Sequence, residues 1–336
     1  MLICYIGSVF KATGFFRNIT PTTDVEIIKK IDLKGAEDFA IARSDSFMLI
    51  SATSREVYPP KEKEMGGIYY LDLKSKTLTP KLISGSFEGD FAPHGISMIK
   101  IDSSFVVMAI NHTLTEHSIE VFNFDGKILS HVKTLKHSSM IHPNDLVLVD
   151  ENKFYFANDH GFVKGIKKLA EEYLGLAVSN VVYYNGKNYE VVAEGIAYAN
   201  GINYDKERKL IYVASPRKFL VKVYQRNDDG SLTFIENIKC GTGVDNIELD
   251  NDGDLWIGAH PNLLGFKSYA KGKKKYAPSE VIKVKYNGRK DYNIEKIYVE
   301  KGEEMSASSV AISFDDLVLV GTVMDDQFLV LENKNN

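Results

Sequence analysis

A short pattern recurs six times along this 336-residue chain, and each copy opens with a polar residue where an apolar strand should begin. The copies start at Glu37-Asp38-Phe39, His94-Gly95-Ile96, Asn144-Asp145-Leu146, Asn200-Gly201-Ile202, Asp245-Asn246-Ile247 and Ser308-Ser309-Val310. Successive starts lie 57, 50, 56, 45 and 63 positions apart, a period typical of a propeller or solenoid. One repeat of that size cannot bury its own apolar face, so the copies must stack into one body. In a radial β-array the equivalent strand ends meet at the central axis. The lead residues (Glu, His, Asn, Asn, Asp, Ser) would therefore converge on one spot.

Strand signals follow each start. A second run comes about 13 residues later: Phe47–Ser51, Phe105–Ile110, Phe154–Ala157, Leu210–Ala214, Leu255–Gly258 and Leu317–Gly321. Third runs are Ile68–Leu73, Ser118–Phe124, Val181–Tyr184, Leu220–Tyr224, Val281–Tyr286 and Phe328–Leu331. Fourth runs are Thr77–Ile83, Ile128–Leu135, Tyr189–Ala193, Leu232–Ile238 and Ile294–Val299, with none left for the sixth repeat. Val25–Ile31, ahead of the first repeat, has no repeat of its own. Pairing it with the last would close the ring and remove two open sheet edges. The expectation is an all-β, six-bladed propeller of four strands per blade. Residues 25–336 form its single domain, behind an N-terminal arm at 1–24. One stretch, Val163 to Val178, has helical spacing instead (Ile166, Leu169, Tyr173, Leu176), and should lie at the ring's edge or over its mouth.

Bulk properties narrow the partners. A net charge of −4, with no basic and aromatic run in a binding frame, argues against nucleic acid. The basic stretch Lys271 to Lys275 reads as a solvated loop tip. Cys4 and Cys240 make neither a disulfide framework nor a metal spacing. The apolar run Leu2–Phe10 stops at Lys11, is shorter than the roughly 20 residues of a spanning helix, and lacks a basic signal-peptide start. It reads as a docked or frayed arm. Weak membrane association through residues 1–16 is the sharper alternative to a cytoplasmic chain, and the compartment and oligomeric state stay open. Asn18-Ile19-Thr20 and Asn111-His112-Thr113 match a glycosylation sequon, relevant only in a secretory setting.

The converging residues carry the chemistry. Glu37-Asp38, Asn144-Asp145 and Asp245-Asn246 are tandem oxygen donors, and Asn200 adds a fourth position. Calcium takes 6–8 oxygen ligands from carboxylates, amides, carbonyls and water. Zinc would ask for Cys or His. The lead positions hold no Lys or Arg to offset the acids, and a metal would do so. The bland alternative is a water-filled channel with polar strand ends. Asp38 and Asp145, one step further along their strands, are placed for a second ion. Asp250-Asn251-Asp252-Gly253-Asp254 imitates a calcium loop, but its twelfth position is Pro261, and it reads as a hairpin turn. His94 leads blade two and His112 ends that blade's second strand, so both point to one end of the sheet. His160 and His260 occupy comparable places in blades three and five. No Gly-x-Ser-x-Gly elbow exists, which argues against a serine hydrolase.

These segments resemble the serum paraoxonase/arylesterase family. The likeness rests on Gly35-Ala36-Glu37-Asp38, Pro93-His94-Gly95-Ile96-Ser97, Asn144-Asp145, Asn158-Asp159-His160, Ala199-Asn200-Gly201-Ile202-Asn203 and Val244-Asp245-Asn246-Ile247. Gly253-Asp254-Leu255-Trp256-Ile257-Gly258 with His260-Pro261-Asn262, and Tyr173-Leu174-Gly175-Leu176-Ala177, extend it. The resemblance implies a six-bladed propeller with two calcium ions. A catalytic one would be held by Glu37, Asn144, Asn200, Asp245 and Asn246. A structural one would be held by Asp38, Asp145 and the backbone carbonyl of Ile96. It implies a histidine dyad at His94 and His112, and a pocket that includes His160, Tyr198 and His260. The implied activity is hydrolysis of small-molecule lactones and aryl esters, sometimes of organophosphates. Nothing after Cys240 can pair with Cys4, so the terminal disulfide of animal members is absent. The free cysteine those members carry is Ala259 here, and the pocket wall at Ser54-Arg55 and Tyr198 differs as well. Two other readings remain at this stage: a sugar lactonase of the gluconolactonase-like propellers, and a non-catalytic calcium-binding propeller.

Overall fold

Each polar start opens an inner strand, and turn residues send the chain back and forth outward from it. A computed structural model describes residues 10, 12–22, 24–57, 60 and 62–333. It contains six four-stranded antiparallel sheets arranged as the blades of a propeller. The inner strands are Ala36–Ala42, Pro93–Ile101, Pro143–Asp150, Ile202–Asp205, Gly243–Leu249 and Ser308–Phe314. Five sheets run in simple chain order from the axis outward.

The sixth closes the ring. Val25–Asp32 pairs antiparallel with Gln327–Asn333, from Val25 opposite Asn333 to Asp32 opposite Gln327, with an irregularity between Ile27 and Lys29. Its order, from outside in, is Val25–Asp32, Gln327–Asn333, Leu317–Thr322 and Ser308–Phe314. Ile31 is buried in the same apolar cluster as Phe39 and Phe328, whose rings meet edge to face at 5.7 Å. The first and last strands are thus one blade, as expected of a chain with an unpartnered leading strand.

The core lies between blades rather than at the axis. Phe47, Phe105 and Phe124 fill one inter-blade seam, and Met108, Ile119, Phe154 and Phe156 the next. Each fully buried side chain of this size contributes roughly 1.5–3 kcal/mol. At the axis the inner strands approach closely because two repeats carry glycine at their second position. A Cβ on Gly95 would lie 2.6 Å from Asp145 Cα, and one on Gly201 would lie 2.4 Å from the Asp245 carbonyl oxygen.

Three elements differ from expectation. The strand expected at Thr77–Ile83 is reduced to Lys81–Leu82. Its first half is a turn: Asp72 caps Lys74 and Ser75, Leu78 is left-handed at φ 44°, and Pro80 has no N–H to donate. The helix expected within 163–178 spans Gly165–Leu174, but its apolar residues Ile166, Leu169 and Tyr173 face solvent. What ties it down is Glu171, whose carboxylate accepts the N–H groups of Gly161 and Phe162 at 3.0 and 3.2 Å. A second helix, Leu263–Ala270, was not expected. Asn262 caps it by accepting the Gly265 N–H at 2.8 Å.

Asp250–Asp254 is a hairpin turn, with Lys283 Nζ 3.3 Å from Asp250 and 3.1 Å from Asp254 in the place a cation would take. Asn111 of the second sequon is buried, with both ends of its amide hydrogen-bonded at 2.9 Å to the backbone of Ala92 and Asp90. Cys240 is in no disulfide among the described residues, and Cys4 and all of the run Leu2–Phe10 except Phe10 lie outside them. Arg17 forks onto the buried carboxylate of Glu280 at 2.5 and 2.7 Å, which ties the chain ahead of Val25 to the fifth blade. No helix among the described residues is long and apolar enough to cross a membrane.

Candidate active site

A cavity of about 330 Å³ opens at the end of the ring where the strand starts converge. Glu37, His94, Asn144, Asn200 and Asp245 line its floor. All are buried, as is Asn246 beside them. The repeat geometry explains this: each lies at or just before the start of an inner strand, and six such strands share one axis.

Their hydrogen bonds follow a single rule. Asn144 Nδ2 donates to Asp159 Oδ2 at 3.2 Å, Asn200 Nδ2 to Asp245 Oδ1, and Asn246 Nδ2 to Glu37 Oε1 at 3.0 Å. Every amide therefore spends its donors on a neighbouring carboxylate. The opposite ends, Asn144 Oδ1, Asn200 Oδ1 and Asn246 Oδ1, together with Glu37 Oε2, are buried without any hydrogen-bond partner. Buried oxygens without partners are costly and rare. Four in one cluster, with Asp245 among them, form a donor set for a cation that prefers oxygen, as calcium does. Burial and the nearby Asp245 carboxylate push Glu37 above its usual range. The charge of Arg55 and the hydrogen bond from Asn246 offset only part of this.

Deeper in the channel, Asp38 Oδ2 accepts the Ile96 N–H at 2.8 Å. Asp145 accepts from Leu146 N with one oxygen and from Ile202 N with the other, both at 2.7 Å. Burial and mutual repulsion raise Asp38 well above the ordinary carboxylate range. Asp145 is raised too, by burial and by Glu248 and Asp245. Ile96 meets this pair through its N–H. Glu248, at the far opening, went unnoticed in the sequence because it follows the repeat start by three positions. Loss of hydration lifts it to about 8 against the pull of Arg43.

The histidines form a continuous row. His94 and His112 are stacked at 4.9 Å with planes 20° apart. His112 is followed by His117 at 4.6 Å and His142 at 5.5 Å, and His142 by His160 at 5.2 Å. His94 Nδ1 lies 3.0 Å from Arg55 Nη2. Arginine can only donate, so this nitrogen accepts and the neutral ring carries its proton on Nε2. His112 Nε2 lies 2.5 Å from the Pro143 carbonyl and is the donor there. Burial, and then the charge of Arg55, hold His94 well below the usual imidazole range. Burial and the neighbouring rings do the same to His112. The dyad residues are thus brought together face to face, with Arg55 as a third member. His117 and His142 belong to no repeat position and were missed.

The cavity wall completes the site. His260 donates through Nε2 to Asp245 Oδ2 at 2.9 Å while its ring stacks on Phe266 at 4.0 Å. His160 packs against Tyr198 at 5.1 Å, and Tyr198 is itself left-handed at φ 65°, a strained state for an aromatic residue. Leu263, Leu264, Phe266 and Val323 give the pocket an apolar side, and Arg217 and Lys267 a basic rim. The helix Leu263–Ala270 supplies most of that apolar side. Its one sequence signal was the capping residue Asn262.

The family model described as Arylesterase matches residues 18–330. Serum paraoxonase/arylesterase 2 of Gallus gallus is 37% identical over 267 residues, spanning 77% of this chain and 74% of its own. Among solved structures, a gluconolactonase from Xanthomonas campestris superposes with a TM-score of 0.56 at 12% identity, covering 94% and 98% of the two chains. A calcium-binding regucalcin from Agrobacterium tumefaciens gives 0.52 at 11% identity, covering 91% and 93%. At such identities the two solved structures report the shared propeller only.

Proposed function

The chain belongs to the arylesterase family, and from that premise we propose that it is a calcium-dependent hydrolase of lactones and aryl esters working at the cavity just described. One observation carries the reading. The four buried oxygens without partners belong to four of the five residues proposed to hold the catalytic ion, and Asp245 is the fifth.

Glu37, Asn144, Asn200, Asp245 and Asn246 would hold calcium at the cavity floor. When bound, calcium supplies Lewis-acid polarisation of an ester carbonyl and charge for the developing oxyanion. The chain's own residues do the rest. Asn200 and His260 occupy the two oxygens of Asp245, which favours a holding role for this carboxylate over direct attack. His94 takes the proton of the attacking water, and His112 stacks behind it. Burial, and then Arg55, favour the unprotonated form of His94, as a base requires. Proton uptake falls on Nδ1, so Arg55 must leave that nitrogen. It can stay anchored on the carbonyls of Val323 and Pro93, both 3.3 Å away. The apolar side of the cavity receives the acyl or ring portion of the ester, and the pocket side chains His160, Tyr198 and His260 bound it.

A second ion, at Asp38 and Asp145, is supported by the burial of these carboxylates and by the repulsion of Asp38 by Asp145, Glu37 and Glu248. The sugar-lactonase alternative shares the architecture at 12% identity and gains nothing further from the site.

The test is turnover of phenyl acetate and of a graded series of five- and six-membered lactones, with calcium and with excess chelator. Turnover of aryl ester and lactone, abolished by chelator and restored by calcium, is expected. Turnover unaffected by chelator would overturn the reading.

A further inference from the structure

A second cluster of possible ligands sits beside the calcium set and has a different chemistry. Asp159 Oδ1 lies 2.7 Å from His142 Nδ1 and 2.6 Å from His160 Nδ1, and the three atoms fall within 4.8 Å of one another. We propose that His142, Asp159 and His160 form a binding site for a zinc-class transition-metal ion.

Two imidazoles and one carboxylate are poor partners for calcium, which wants six or more oxygens. They are ordinary partners for zinc, with a fourth position left for water. Tetrahedral zinc at ~2.0–2.1 Å from each ligand needs donor atoms roughly 3.3 Å apart, so each histidine nitrogen would move away from Asp159 Oδ1 by roughly 0.6–0.7 Å, from 2.7 and 2.6 Å. His142 Nδ1 gives an independent pointer. Although close to Asp159, it lies outside hydrogen-bonding direction and is a buried nitrogen without a hydrogen-bond partner. His117 Nδ1 is in the same state, its ring 5.0 Å from that of His142.

The cluster is held in place by hydrogen bonds to its backbone. Asn158 accepts the His142 N–H at 3.0 Å and donates to the Ser139 carbonyl at 2.9 Å, which pins the loop carrying His142 to the strand end. Ser179 donates to the Asp159 carbonyl at 2.6 Å, and Glu171 fixes the backbone just after His160. Such outer-sphere support is what orients metal ligands. Asp159 is fully buried and His160 nearly so, while His142 keeps about 16% of its side chain exposed and offers the route in. Asp159 Oδ2 meanwhile receives Asn144. Asp159 therefore links the two sites, and filling this one would hold Asn144 in place for the other.

The experiment is calorimetric titration of zinc into the calcium-loaded protein in millimolar calcium, repeated with cobalt(II) and visible absorption. One saturable zinc site is expected, with cobalt bands of tetrahedral nitrogen and oxygen coordination. His142→Gln and His160→Gln should each weaken it at least 30-fold. His137→Gln, on an exposed histidine outside the cluster, should leave it unchanged. Melting curves with and without calcium establish that each variant is folded. No saturable zinc site, or one that survives both His142→Gln and His160→Gln, would overturn the proposal.

Discussion

Asn144 donates to Asp159 at 3.2 Å, and that bond decides which end of the amide is left for the cavity. With Nδ2 engaged, Oδ1 is the end without a partner. Asp159 thus orients a calcium ligand without being one. Burial would raise its pKa, but His142 and His160 beside it hold it well below the usual carboxylate range, so it stays an acceptor. Asp159→Asn is nearly isosteric and lets the amide of Asn144 turn. Calcium affinity should fall by about 10–100-fold, the usual effect of losing an orienting partner. Calorimetry on a variant with an unchanged circular dichroism spectrum checks this, and wild-type affinity would contradict it.

Metal-free protein should lose stability as pH rises. Glu37, Asp38 and Asp145 all titrate higher in the fold than in the unfolded chain, and Glu248 is lifted to about 8. Between the ordinary carboxylate range and about pH 8 these four carboxylates hold more protons in the native state than in the unfolded one, and they outnumber the buried His94 and His112, which pull the other way at mildly acidic pH. The slope of unfolding free energy with pH is negative there. Melting temperature in chelator should fall from pH 5 to pH 8. Calcium should flatten that fall, adding about 2.7 kcal/mol per site at a hundredfold excess over Kd. A chelated protein whose melting point rises over this window would contradict the buried-anion account.

Arg55 and His94 predict a pH profile. Activity should rise with pH through a value below that of free imidazole. Arg55→Met removes the positive charge nearest His94, so the protonated ring becomes less unfavourable and the rising limb moves to higher pH. His94→Gln should cost roughly 10²–10⁴ in turnover while calcium affinity stays near wild type. Rate profiles of both variants check this. Near-normal turnover in His94→Gln would move proton transfer elsewhere.

Ring closure predicts the effect of truncation. A chain beginning at Leu33 lacks the strand opposite Gln327–Asn333 and exposes that edge. It also loses Ile31 from the cluster around Phe328. Aggregation is expected in size-exclusion chromatography, and a monodisperse, active product would contradict it.

The ring and its site were legible because both follow one repeat. The polar start of each inner strand marks the axis, so Glu37, His94, Asn144, Asn200 and Asp245 could be gathered from spacing alone. The leading strand Val25–Asp32 could be placed because the last repeat was one strand short. What lay outside the repeat was not legible. His142 reaches Asp159 only because Asn158 pins its loop, and no spacing announces that. Arg55 meets His94 across a blade seam. The helix Gly165–Leu174 has the expected periodicity, yet a single buried glutamate anchors it while its apolar residues face water.

Glu37 offers the most direct test of the central claim, that the oxygens without partners at the ring's axis hold the ion on which ester hydrolysis depends. Glu37→Gln keeps the shape of the side chain and removes one of the two carboxylates in the set. Calcium titrated calorimetrically into metal-free wild type and variant should show a tight site weakened by at least 100-fold in the variant. Phenyl acetate turnover at subsaturating calcium should fall in step. Wild-type calcium affinity in Glu37→Gln, with the fold intact, would contradict the account.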